Sequence, residues 1–454
     1  MSSLKIPRIR ELLDLALPIV VVQVGLMAMG VIDTVMVGHL SAEALGAVAL
    51  GNIYFFGTSI FGMGTLLALD PLAAQAVGAG DTEGVARAIQ RGLVLVVLLC
   101  VPVTLLLIPA GPVLRMLGQP EPLVALAAPF CVIGIAGLPG FFAFVVLRQG
   151  LQAQGRVAAI IMSVVLANLA NVFFNWVFIF GHLGSRPLGV IGSAWATVIG
   201  RTLLPLLLLG FDWGHLRSQL RPWRSGILDP LPLVRMLKLG TPIGFQHQLE
   251  YGVFGVVGLL MARLGEAEIA GHQIALNLAS LTFMVPLGLS SAAAVLVGRA
   301  VGVLDRPRVV ESAAAALACG LLFMSATAVV FLTLPGMLAS LYTNDREVQA
   351  IAVLLIPLAG IFQIFDGLQV VSIGILRGMG DTRAPMVINI LGFWMIGLPV
   401  GLWLAFPGGL RAPGLWWGLV IGLVGVGAAL AGRVRWRLAR PLGRLDLERA
   451  PGYS

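Results

Sequence analysis

The sequence predicts an all-α membrane protein of twelve transmembrane helices, arranged as two parallel six-helix repeats. Three observations carry that reading. The chain is 58% hydrophobic and only 11% charged over 454 residues, with a mean hydropathy of +0.98. Twelve apolar runs are each long enough to cross about 30 Å of hydrocarbon. And the second half repeats the first at a constant offset.

A soluble domain carries about 25% charged residues, and its core cannot absorb so much apolar surface while still presenting a wet exterior. Lipid is the solvent that fits. The first run, Leu12 to Val37, follows Lys5, Arg8 and Arg10. It is too long for a cleaved signal and has no convincing cleavage site, so it reads as a retained span. Cys100, Cys131 and Cys319 are scattered in apolar runs, which suits packing residues better than a disulfide framework or a metal cluster.

The runs lie near 13–37, 45–69, 88–109, 123–147, 157–181 and 188–211, then 233–262, 267–297, 309–333, 347–376, 384–406 and 412–435. Helices must build them, because lipid cannot satisfy exposed backbone groups. A cytoplasmic N-terminus puts 23 Lys and Arg residues on the inner side against 5 on the outer side, Arg115, Arg186, Arg263, Arg346 and Arg411, with Arg201 left inside a span. That asymmetry supports twelve spans with both ends inside. The net charge of +8 thus reports topology, and no nucleic-acid partner is expected.

A shift of 224 residues superposes Leu17-Pro18-Ile19 on Thr241-Pro242-Ile243, Gly64 on Gly288, Ala76-Val77-Gly78 on Ala300-Val301-Gly302, and Asp81 on Asp305. A constant offset across three spans marks an internal repeat. Six spans per copy make the repeats parallel, related by an axis along the membrane normal. The expected division is an N-terminal lobe over 1–211, a cytoplasmic linker over 212–232, and a C-terminal lobe over 233–454 that ends in a short cytoplasmic tail. Two bundles around a central site suit a transporter.

Carboxylates at membrane depth are costly, about 2.5–3.5 kcal/mol on insertion scales, so each is a functional hypothesis. Asp33 lies fifteen residues past Pro18, roughly 22 Å along the first span. Glu250 lies twelve residues past Lys238 and Asp366 eleven before Arg377, roughly 18 Å and 16 Å from the same surface. These two share a depth and can converge on one proton or cation site. At the repeat offset Asp33 aligns with Val257, and Glu250 with Leu26, so each lobe has its own acids. With amide and carbonyl oxygens, Glu250 and Asp366 can hold Na⁺, a hard ion. Asn171 and Asn175 sit one turn apart on one face, with Asn168 before them. They can line a polar cavity or act as interhelical glue. Gln246, His247 and Gln248 crowd the turn before Glu250, and Gln363 precedes Asp366; Gln246, His247 and Gln363 are candidates for the site lining. Arg201 can pair with Asp33, in which case a simple cation site there becomes doubtful.

Gly155-Arg156 and Gly380-Asp381-Thr382-Arg383 read as corresponding tight turns, with Asp381 and Thr382 capping the next helix. Pro242, Pro286 and Pro357 fall inside spans and can kink them. Met261, Met284, Phe362 and Phe365 can coat a cavity or fill the core. Among catalytic signatures there is no His-Glu-x-x-His helix, nucleophile elbow or Cys-x-x-Cys pair, so no enzyme and no cofactor is expected.

Three segments carry a resemblance: "LALPIVVVQVGLMAMGVIDTVMVGHL" from Leu15, "LGTPIGFQHQLEYGVFGVVGLLMARLG" from Leu239, and "AGIFQIFDGLQVVSIGILRGMGDTRAPM" from Ala359. "QAQGR" from Gln152 and "NVFFNWVFIFG" from Asn171 add to it. The chain resembles the multidrug and toxic compound extrusion (MATE) family end to end, and within it the bacterial NorM branch. That branch has a span 7 glutamate and a span 10 aspartate, matched by Glu250 and Asp366, and a span 1 aspartate matched by Asp33. The "QHQ" before Glu250 departs from the apolar and aromatic residues expected there. The resemblance implies two V-shaped bundles in the inner membrane, exporting cationic or amphipathic drugs in exchange for Na⁺ or H⁺, with a single chain as the working unit. The rivals are a lipid-linked oligosaccharide flippase of similar fold and, from another class, an intramembrane enzyme.

Overall fold

The computed structural model describes residues 6–448. In order, the helices are α1 (Ile6–Gly38), α2 (Ala42–Leu66), α3 (Leu69–Gly78), α4 (Thr82–Leu107), α5 (Ala110–Met116), α6 (Glu121–Gly134), α7 (Leu138–Ala153), α8 (Ala158–Phe180), α9 (Val190–Phe211) and α10 (Trp213–Leu220). The second repeat follows with α11 (Pro230–Leu264), α12 (Glu266–Val303), α13 (Arg306–Thr333), α14 (Pro335–Ser340), α15 (Arg346–Gly378), α16 (Arg383–Asn389), α17 (Leu398–Ala405) and α18 (Arg411–Ala439). A 3₁₀ turn joins α6 to α7, and a π-helical stretch, Ile390–Gly397, joins α16 to α17.

Eleven helical stretches among the described residues are long and apolar enough to span a membrane. The twelfth span of the sequence reading is α11. It forms as a 35-residue helix, but Gln246, His247, Gln248 and Glu250 interrupt its apolar middle. Lipid is also written on the surface. Along α4, Val97, Val101 and Leu105 are 67%, 57% and 64% exposed, while Val85, Ala86 and Ile89 on its first turns are buried. A soluble helix would not turn such a face to solvent over this length.

The duplication survives in atomic detail. Asp81 and Asp305, 224 positions apart, are both N-caps, with φ and ψ of −86° and 85° and of −87° and 88°. Each carboxylate accepts from the backbone N–H three residues on, Gly84 at 2.8 Å and Arg308 at 3.0 Å, satisfying one orphan donor of the helix start. The repeats differ where one interrupts a span that the other runs straight. α2 and α3 together match the continuous α12. The α6–α7 span has a 3₁₀ turn where α15 runs unbroken. The span holding α16 and α17 has a π stretch where α8 has none.

The chain forms two compact units, and they do not follow the expected limits of 211 and 233. One unit holds Val21–Gly244 and the other Phe245–Leu445, with residues 6–20 joining the latter and 446–448 the former. The two crossings, after Val20 and after Gly244, are again 224 residues apart. Each repeat therefore lends the first turns of its leading helix to the other's unit. Close helix contact explains why those turns belong where they do. A Cβ on Gly240 would stand 2.1 Å from the Thr65 carbonyl oxygen, and one on Gly64 would stand 2.8 Å from the Gly244 Cα. The counterpart in the other unit is Gly288 against Val20, at 2.4 Å from its Cγ2.

The expected linker 212–232 is not a free strand. α10 occupies its first part, and Gln90 donates from Nε2 to the carbonyls of Gln219 (2.7 Å) and Pro222 (3.1 Å). The tail is tied to the same unit, where Arg235 donates to the Leu447 carbonyl at 2.8 Å and Arg91 pairs with Glu448 at 2.9 Å. Pro242, Pro286 and Pro357 all lie inside continuous helices.

The two glycine turns adopt positive φ, 77° at Gly155 and 76° at Gly380, where glycine is least strained. The expected cap at the second turn does not form. Thr382, although the N-cap residue, makes no capping bond, and Asp381 instead accepts from Arg433 at 2.7 Å. The first turn has the same link with the charges exchanged: Arg156 donates to both oxygens of Asp212, at 2.7 and 2.5 Å.

Candidate functional site

Each unit buries its own carboxylate constellation. In the unit of Val21–Gly244, Asp33 is 3% exposed on α1. Its Oδ1 accepts from Asn171 Nδ2 at 3.1 Å and from Asn175 Nδ2 at 2.6 Å, and its Oδ2 accepts from Thr197 Oγ1 at 2.7 Å. Asn175 Nδ2 also reaches Asn171 Oδ1 at 3.2 Å. The helical period explains the convergence: Asn171 and Asn175 are one turn apart on α8, and both are fully buried. Three donors are what a buried carboxylate needs in place of water.

Asn168 is not part of this group. Its Nδ2 donates to the carbonyls of Gly25 (2.9 Å) and Val164 (2.8 Å), so it fastens α8 to α1 two turns from Asp33. Thr197 was missed in the sequence; the signal was its place one turn before Arg201 on α9. The Asp33–Arg201 ion pair that the sequence left open is not formed between these two residues. The charge of Arg201 reaches Asp33, but the guanidinium carbon stands over the rings of Phe55 (4.1 Å), Phe141 (5.7 Å) and Phe56 (5.8 Å).

In the unit of Phe245–Leu445, Asp366 is 8% exposed on α15, and Glu250 is half-buried on α11. A ring pair sets their level. Phe254, one turn past Glu250, meets Phe362, one turn before Asp366, with centroids 6.1 Å apart. One further turn along each helix brings the two carboxylates to a common depth and within electrostatic range of each other. Glu250 Oε1 accepts from Gln369 Nε2 at 2.9 Å, and Gln369 lies one turn past Asp366. Gln369 was also missed, although that spacing from Asp366 was readable. The π-helical stretch adds Trp394, whose Nε1 donates to the Leu249 carbonyl at 3.1 Å. Such stretches recur at functional sites. Nothing in the sequence predicted this one.

The lining candidates divide. Gln246 is buried on the Glu250 face of α11, and His247 is half-buried. Gln363 turns away to α12, donating to the Thr282 hydroxyl and to the Ala279 carbonyl. Phe362 and Met261 are core residues, 4% and 0% exposed, whereas Met284 and Phe365 are half-buried. No cluster of three or more His, Cys, Asp or Glu occurs among the described residues. A cation at Glu250 and Asp366 would therefore complete its shell with amide, carbonyl or water oxygens, which a hard ion such as Na⁺ accepts. Asp70 is a further carboxylate, 4% exposed in the first turn of α3. It lay outside the expected limits of the second span.

Two repeated helical bundles, with buried carboxylates inside a largely apolar frame, define a multi-pass membrane transporter. The MatE family model matches residues 18–177 and 242–403, two stretches whose starts are again 224 residues apart. The chain belongs to the MatE family. It is 35% identical over 439 residues to "Multidrug resistance protein MdtK" of Edwardsiella ictaluri, covering 95% of this chain and 96% of that one. It is also 35% identical over 452 residues to "Probable multidrug resistance protein NorM" of Mesorhizobium japonicum, with 96% and 95% covered. Among solved structures, the eukaryotic MATE transporter AtDTX14 superposes with a TM-score of 0.86 at 23% identity, covering 95% of this chain and 99% of that one. The Vibrio cholerae MATE transporter VcmN in its bent form superposes at 0.83 and 20%, with 95% and 97% covered.

Proposed function

We propose that this protein is a multidrug antiporter of the inner membrane, exporting cationic or amphipathic small molecules in exchange for Na⁺ or H⁺, with both chain ends in the cytoplasm and one chain as the working unit. The two relatives named for multidrug resistance support the substrate class. The observation that carries the coupling is the pairing of Glu250 with Asp366 within electrostatic range, with Gln369, one turn past Asp366, donating to Glu250. Two acids within electrostatic range of each other inside the apolar span favour an added positive charge. The ion and the drug must favour opposite conformations, because equal affinity for both states shifts nothing. Asp33 forms the separate site of the other unit.

The test is drug efflux from proteoliposomes under imposed Na⁺ and pH gradients, applied separately. One gradient drives efflux by the wild type. Glu250→Gln and Asp366→Asn each reduce gradient-driven efflux by about tenfold or more while the protein stays in the membrane. Wild-type efflux in both variants, or efflux that needs no gradient, overturns the reading.

A further inference from the structure

Arg201 has no use in the coupling scheme, and its surroundings are unlike those of a structural arginine. It is 8% exposed, and no hydrogen-bond acceptor and no carboxylate within ion-pair distance is found for it among the described residues. Its one candidate partner, Asp33, is already engaged by Asn171, Asn175 and Thr197. Three rings, Phe55, Phe56 and Phe141, cover the guanidinium face. A cation–π face satisfies the charge in part, yet leaves the in-plane N–H fork without a partner. That fork is the part of arginine that recognises a carboxylate.

The site is built for this residue. Gly140 lets α9 approach α7: a Cβ there would stand 2.9 Å from the Thr202 Cα. Gly137 makes room for the arginine stem, its added Cβ 3.4 Å from the Arg201 Cδ. Depth selects the ligand. Arg201 is eleven residues from Val190 and ten from Phe211, the ends of α9, roughly 15 Å along the helix from either. That is too deep for a lipid phosphate, which lies outside the hydrocarbon layer. The unpaired guanidinium nitrogens are not fully buried, so a small molecule that enters the protein can reach them.

We infer that Arg201, with Phe56 and Phe141, is the subsite at which this transporter binds a substrate carboxylate. The carboxylate docks on the guanidinium fork, and an aromatic body lies against the rings. This rests on the drug-export reading above, but its test is one of binding and needs no gradient.

The probes are rhodamine B, which carries a free carboxylate, and its ethyl ester, which does not. Fluorescence anisotropy measures their affinities for the full-length protein in phosphatidylcholine nanodiscs. The acid-to-ester affinity ratio falls about tenfold in Arg201→Gln, and Arg201→Lys restores it only in part, because an ammonium lacks the planar fork. An unchanged ratio in a folded Arg201→Gln protein overturns the inference. So does a ratio that moves only in nanodiscs containing phosphatidylglycerol, which assigns Arg201 to a lipid headgroup. Should Arg201→Gln fail to fold, Phe56→Leu is read instead: it weakens binding of both probes and leaves their ratio in place, and a collapse of that ratio also counts against the assignment.

Discussion

At the scale of single residues, the two carboxylate sites are built in opposite ways. Asp33 accepts three hydrogen bonds from side chains on two other helices. Among the described residues, Glu250 has one side-chain donor, Gln369. Asp33 is therefore held firmly by its neighbours, and losing a donor should show in stability. A buried group left short of a bond costs about 1–3 kcal/mol. Thr197→Val and Asn175→Leu each destabilise the protein by about 2 kcal/mol, measured by thermal unfolding in detergent. In a double variant with Asp33→Asn, the two losses add to less than their sum. Asn168→Ala, whose bonds go only to the Gly25 and Val164 carbonyls, adds normally to Asp33→Asn. Full additivity for Thr197 would remove it from the site. The sequence placed Asn168, Asn171 and Asn175 together because they share a helix face. It could not separate the one that meets backbone from the two that meet Asp33, since that depends on the rotation of α8 against α1.

At the scale of helices, α11 is constrained at two levels. Its first turns press on α2 through Gly240 and Gly244, and its middle carries Glu250. A Cβ at Gly240 would sit 2.1 Å from a backbone oxygen that cannot move away without its helix. Overpacking of this kind costs about 1–3 kcal/mol or more. Gly240→Leu thus lowers the yield of folded, monodisperse protein in size-exclusion chromatography. Gly30→Ala on α1, where nothing lies within 4 Å of the added carbon, leaves it unchanged. Equal yields from the two variants would contradict the close packing. The turns after the fourth span of each repeat show a second constraint. Arg156–Asp212 and Asp381–Arg433 each tie this turn to the C-terminal part of the repeat's last span, with opposite polarity. Reading Asp381 as a cap was reasonable from its neighbours, but its partner lies fifty-two residues away.

At the scale of the whole molecule, the charge count makes a prediction that no local contact does. Twenty-three basic residues against five should place both chain ends on the cytoplasmic side. Green fluorescent protein fused to either end then fluoresces, and alkaline phosphatase fused to either end stays inactive. A phosphatase-active C-terminal fusion would require an odd number of spans and would remove α11 or another helix from the membrane.

The fold class and the duplication were determined by the sequence alone, which also singled out three acids inside the spans, Asp33, Glu250 and Asp366. Each depends on quantities carried by the chain itself: apolar run length against a fixed hydrocarbon thickness, self-similarity at a fixed offset, and the cost of burying a charge. Tertiary structure decided which side chains meet. It exchanged the first turns of each repeat between units, because Gly64, Gly240 and Gly244 permit backbone approach in one unit, as Gly288 does against Val20 in the other. It brought Thr197 to Asp33 and Gln369 to Glu250, turned Gln363 toward Thr282, and set Arg201 among three rings rather than beside an acid. Those outcomes turn on helix rotation and separation of about an ångström. Composition and period leave both free.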